Sequence, residues 1–169
     1  LLDGSAATRL RSNSFLPREM PGGTPWGAAG LAAVWAEENT RAALFDAMQR
    51  KETYATSGPR ITVRFFGGWG YDREIFAQDD WVTAAEASGV PMGGILPAVS
   101  EQGAQEGNAP TFAVWAIGDP DSGYLDRIQI IKAWIAADGQ SQEKVYDVAW
   151  SGGRALDADG HLPAVGNTV

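Results

Sequence analysis

The hydrophobic pattern changes character along the chain. Leu31-Ala32-Ala33-Val34-Trp35 is an apolar run that predicts a short buried strand. From Asn39 the period becomes helical, with Leu44, Phe45 and Met48 in a stripe extended by Ala47, and Arg41, Asp46, Gln49 and Arg50 mostly off it. Asn39 or Thr40 suits the N-cap, Glu37 and Glu38 sit near the positive end of the helix dipole, and Arg50 and Lys51 suit its negative end. The helix should stop near Glu52, because Thr53-Tyr54-Ala55-Thr56 favours extended chain and Gly58-Pro59 breaks any helix.

After that turn the period is two. Ile61, Val63 and Phe65 alternate with Thr62, Arg64 and Phe66 in a strand that Gly67-Gly68-Trp69-Gly70 should end. Residues 72–88 predict one or two short helical turns anchored by Ile75, Phe76, Trp81 and Val82, and residues 89–110 read as loop. The last third is strand-rich. Phe112, Val114 and Ala116 alternate, then Ile128, Ile130 and Trp134 share a face, then Tyr146, Val148 and Trp150. Asp138-Gly139 predicts a hairpin between 127–135 and 144–150, since glycine accepts the positive φ of such turns. Residues 1–30 carry turn residues without a period and form an unusually long expected loop.

Composition narrows the function classes. With 169 residues and 44% hydrophobic positions the chain can build a core. Seven tryptophans should each seek an acceptor for the indole N–H. The net charge is −8, and the 13 Lys and Arg are scattered apart from Arg50-Lys51, so no basic stripe supports nucleic-acid binding. No apolar run reaches the roughly 18 residues of a membrane span, and the acidic balance disfavours an anionic membrane. The absence of cysteine removes thiolate metal sites and nucleophiles, and leaves cytoplasm and periplasm equally open. The opening Leu1-Leu2-Asp3 and closing Gly166-Asn167-Thr168-Val169 read as cuts within a longer chain.

Candidate chemistry is sparse. The single histidine, His161, lies beside Asp157 and Asp159; a metal ligand would need partners, and a solvated turn accounts for it better. Asp119, Asp121 and Asp126 match only part of a calcium loop, and a β-turn explains them better. Glu37 and Glu38 are adjacent, so they point apart and make a poor acid/base pair. No Gly-x-Ser-x-Gly elbow surrounds Ser57. Thr56, Ser57 and Arg60 around Gly58-Pro59 are the best substrate-binding set: two hydroxyls and a guanidinium make an anion cradle, against the alternative of a strand-turn-strand junction with a solvated or ion-paired arginine. Phe65-Phe66-Gly67-Gly68-Trp69 reads as an aromatic ligand platform or as close backbone packing beside two glycines.

The segments from Trp35 to Arg41, Glu52 to Ile61 and Val63 to Trp69, with Gly89 to Gly94, Leu125 to Lys132 and the tail Asp159 to Val169, together resemble the bacterial domain-of-unknown-function 3604 family. That family is similar to the polymerase-and-histidinol-phosphatase type of metallohydrolase, a distorted β/α barrel holding two or three metals. The resemblance implies metal ligands upstream of Leu1, so no metal ligand and no cofactor is assigned to this chain, while divalent metals are expected in the parent. It implies an α+β fold: residues 1–57 as the closing segment of the barrel (loop, strand, helix) and residues 58–169 as a β-rich, sandwich-like accessory region. The implied activity is hydrolysis, of a phosphoester by fold analogy. The implied partners are the remainder of the barrel and a small anionic substrate. A non-catalytic β-rich binding or assembly module is the alternative.

Overall fold

The structure, a computed structural model, describes residues 30–98 and 109–164. It is mixed α and β. The elements run β1 Leu31–Val34, α1 Arg41–Gln49, β2 Thr53–Thr56, β3 Thr62–Gly68, a 3-10 helix Arg73–Ala77, α2 Trp81–Ser88, β4 Gly89–Pro91, β5 Thr111–Ile117, β6 Arg127–Ile135 and β7 Ser141–Trp150. The strands form three antiparallel sheets, β1-β2, β4-β3-β5 and β6-β7, with no closed barrel among the described residues. The chain divides into two compact units, residues 1–117 and 118–169. The expected loop over 1–30 lies almost wholly outside the described residues, as do residues 101–108 and the closing Gly166–Val169.

In the first unit, α1 begins where expected. The Thr40 hydroxyl accepts from the Ala43 N–H at 3.3 Å and donates to Glu38 at 3.0 Å, so one side chain fixes the helix start and holds a carboxylate beside it. The helix ends at Gln49, three residues short of the expected stop. Lys51 turns left-handed at φ 61°, its N–H bonds to the Met48 carbonyl, and the Glu52 N–H reaches back to Ala47. That is a Schellman end with lysine where glycine is usual. The buried face also differs from the expected stripe. Ala47 is fully buried and Ala43 and Leu44 flank it, whereas Phe45 and Met48 are 55% and 53% exposed. A small residue lets the helix approach β1 closely, and the bulky pair lies on the far shoulder. β1 is not buried either; Leu31 is 43% exposed, because the sheet has only β2 beside it.

The apolar core lies against β3. Phe66 is fully buried, with Ile75, Ala85 and Ala113 around it. Trp81 meets Phe66 edge-on, at 5.6 Å and 86°, and joins Phe76 and Trp115 in a chain of rings. Phe76 nevertheless remains 43% exposed. Gly67 and Gly68 belong to β3 rather than ending it, and part of the expected loop 89–110 is the strand β4, entered directly from α2. Gly68 faces Gly89 across the strand pair, and Tyr71 lies on both. A Cβ at Gly68 would stand 2.9 Å from the Tyr71 ring, and one at Gly89 would overlap the Tyr71 hydroxyl. The Tyr71 hydroxyl donates to the Ala85 carbonyl at 2.6 Å, and its N–H donates to Thr111 Oγ1 at 2.9 Å. Three indoles find the acceptors expected of them: Trp35 donates to Val63 O, Trp69 to Pro97 O and Trp150 to Arg154 O.

In the second unit, β6 and β7 form the expected hairpin, with β7 starting three residues earlier than foreseen. Gly139 has φ 82°, and its N–H closes onto Ala136 O. A β-bulge near Ile128/Gln129 leaves Val148 out of register. Tyr146 therefore pairs with Ile130 and Trp150 with Arg127, on opposite faces, and the expected shared face of Tyr146, Val148 and Trp150 does not exist. Charge ties residues 151–164 to the ribbon. Asp126 accepts from Arg127 and Arg154 at 2.6 Å each, Arg154 also donates to Ser151 O and Pro163 O, and Asp147 accepts from the Leu162 N–H.

Three outcomes follow. Lys51→Gly should raise stability by about 1 kcal/mol in denaturant unfolding, since it removes a left-handed side chain from a bonded helix end. Gly139→Val should lower stability by about 1 kcal/mol or more; nothing lies within 4 Å of a Cβ there, so the cost is the backbone's alone. Burial raises the Tyr71 phenol above its ordinary 10.0. A neutral phenol favoured by folding stabilises the protein below the ordinary value, and that contribution fades as pH climbs through the raised one. Stability should thus fall above about pH 10, and a Tyr71→Phe variant, less stable at neutral pH by about 1 kcal/mol, should fall less steeply there in pH-dependent melts.

Candidate functional site

The expected cradle occupies the corner between β2 and β3. β2 ends at Thr56, residues 57–59 bend, and β3 starts at Thr62. Ser57 and Arg60 are exposed, and Thr56 is half-buried. Arg60 is held on a short connection between two sheets, with Pro59 limiting the freedom of the chain before it. The Thr56 hydroxyl has a structural duty as well: it accepts from the Leu31 N–H at 3.3 Å, which fixes the start of β1. Its own proton is still available to an anion, since a hydroxyl both donates and accepts.

A groove of about 260 Å³ runs along α1, lined by Glu37, Glu38, Ala42, Ala43, Asp46 and Arg50. Its Arg50 is drawn to Glu52, at 2.6 Å. Glu37 and Glu38 stand before the helix start, where its dipole is positive, whereas Asp46 and Arg50 lie toward its other end.

The other candidates resolve as structure. Asp119 forms a turn, its carbonyl accepting from the Ser122 N–H and its carboxylate from the Asp121 N–H. Asp126 is committed to two arginines, which hold its carboxyl below the usual carboxylate range, the Arg127 bond foremost. Asp157 accepts from the backbone N–H groups of His161 and Asp159, and those bonds lower its carboxyl likewise. His161 thus closes a turn. Among the described residues no three His, Asp or Glu side chains come together to hold a metal, so no step through a metal is derived for this chain. The Phe65–Trp69 run is close packing: Phe65 stacks on Phe112 at 5.4 Å and 8°, and Gly67 leaves room for that ring.

Two arrangements escaped the sequence reading. The Arg64 guanidinium lies 3.8 Å over the Trp35 ring, pinned between the indole and Glu86. On the ribbon, Lys132 and Lys144 stand directly opposite one another. Each ammonium lies 5.0 Å from a ring on its own strand, Trp134 and Tyr146 respectively. The signal was present: both lysines are six residues from Asp138, so counting outward from the predicted turn pairs them.

No helix among the described residues is long and apolar enough to cross a membrane. No curated protein and no solved structure matched the chain. The family model described as protein of unknown function (DUF3604) matches residues 3–169, and the chain belongs to that family.

Proposed function

We propose that this chain is the non-metal part of a metal-dependent hydrolase of the polymerase-and-histidinol-phosphatase kind, acting on a small anionic substrate of the phosphoester class. The observation that carries the reading is an exposed arginine on a short connection, three and four residues after the hydroxyls of Ser57 and Thr56 in sequence, in a chain whose net charge is −8. A guanidinium presents a fork of donors that matches phosphate oxygens, and it holds its charge at any working pH. In this reading residues 1–57 are the closing segment of the barrel and residues 58–169 form the β-rich accessory region. Metals held by the remainder of the protein would supply Lewis acidity, and Arg60, Thr56 and Ser57 of this chain would orient the substrate and balance its charge.

A second reading, a binding or assembly module without catalytic duty, is favoured by apolar surface left open. Phe45 and Met48 are exposed in the first unit, and Ile131 and Ile135 are 62% and 69% exposed in the second. The two readings part at Arg60. In the full-length parent, Arg60→Ala should lower turnover of a phosphoester panel by on the order of a hundredfold per folded molecule. Arg60→Lys should recover little of it, because an ammonium lacks the fork. Full turnover in a folded Arg60→Ala protein would remove Arg60 from the site and leave the assembly reading standing.

A further inference from the structure

We propose that the outer half of the β6–β7 ribbon binds an anionic saccharide, with a carboxylate between Lys132 and Lys144 and sugar rings on Trp134 and Tyr146. The register gives the layout. Lys132 pairs with Lys144, Trp134 with Gln142 one step outward, and Ile130 with Tyr146 one step inward. Side chains alternate along a strand, so these six positions share one face. Trp134 and Tyr146 lie diagonally across it, four positions apart along the ribbon, or roughly 13 Å. That is the span of a short oligosaccharide rather than of a single sugar.

The lysine pair points to an absent counter-charge. Like charges directly opposite one another weaken a strand pair. Among the described residues neither lysine makes an ion pair. The ribbon's carboxylates cannot serve them, since Glu143 pairs with Ala133 and Asp147 with Gln129, both on the other face. Asp147 is further committed to Gln129, Leu162 and Arg127. Each ammonium instead rests near an aromatic ring of its own strand. Such a contact is weak at an exposed site. A carboxylate arriving between the two strands offers both ammoniums a stronger partner and frees the ring faces. The C–H faces of sugar rings then lie on Trp134 and Tyr146, each 39% exposed, while Gln142 meets hydroxyls. The pattern ring, cation pair, ring matches one acidic sugar between neutral ones. It does not match single-stranded nucleic acid, which carries a phosphate on every nucleotide and calls for a longer cationic track than two lysines in a −8 chain.

Calorimetric titration of the 169-residue chain at low salt tests this with a tetrasaccharide alternating glucuronate and N-acetylglucosamine, chitotetraose as its neutral counterpart, and oligothymidylate. The acidic tetrasaccharide should bind, weaken as salt rises, and outcompete both others. Lys132→Gln with Lys144→Gln should lose that binding while melting higher than wild type, because repulsion is relieved; a merely structural pair would not give this combination. The single exchanges, read separately, serve if the double variant melts low. Trp134→Ala should weaken binding with little change in melting. Equal affinity for chitotetraose, tighter binding of oligothymidylate, no binding of the acidic sugar, or unchanged binding in the glutamine variants would each overturn the proposal. Because it involves neither Arg60 nor hydrolysis, it can fail without touching the proposed function.

Discussion

Tyr71 closes the first unit. Its ring lies where two facing strands have given up their side chains, at Gly68 and Gly89, and its hydroxyl satisfies a carbonyl of α2 while its backbone N–H is held by Thr111 of β5. Four elements therefore converge on one residue. Their cohesion depends on an apolar ring filling space that only glycine leaves open, and on a phenol that loses its water in exchange for a single strong acceptor. Phe66 and Trp81 can pack beneath because β3, β4 and α2 are already clamped at that point.

The second unit has no comparable apolar centre. A two-stranded ribbon buries little by itself, and among the described residues 118–164 only Leu162 is a buried hydrophobic side chain. Order there comes from charge and backbone acceptors. Arg154 reaches Asp126, Ser151 and Pro163, and Arg127 reaches Asp126 and Leu162. Partly buried arginines suit this work, since a planar fork can satisfy several carbonyls at once with its charge balanced by one carboxylate. Such a clasp fixes the inner half of the ribbon and leaves the outer half with both faces open.

What the sequence made legible were features governed by neighbours a few residues apart. The Thr40 cap, the helix after it, the alternation of β3 and β5 and the Asp138-Gly139 turn all follow from local stereochemistry, and each stands in the structure. What stayed hidden depends on residues distant in sequence. Gly67 and Gly68 looked like a strand end because nothing local announces that Phe112 needs the space at Gly67 or that Gly68 pairs with Gly89 under the Tyr71 ring. β4 looked like loop because three residues are too few for a period, and only its pairing with β3 makes them a strand. The bulge at Val148 inverted a face assignment that simple alternation had made. At the candidate site, Thr56, Ser57 and Arg60 were legible as a hydroxyl-rich turn with a cation, whereas the use of the Thr56 hydroxyl by Leu31 required the pairing of β1 with β2.

The two faces of the outer ribbon bear on how such a segment works. One carries Ile131, Val145 and Ile135 and the other Lys132, Lys144, Trp134 and Tyr146, and the strand period alone separates them. An apolar face left 39–69% exposed at these positions favours contact with other protein surface, whereas paired cations beside rings repel one another until an anion arrives. A ribbon bearing both can be anchored through one side while the other remains free for a ligand. The inner clasp makes that division mechanically sound, because Arg127, Asp147 and Leu162 fix the ribbon's base on the same side as the apolar residues and leave the cationic side uncovered at its outer end.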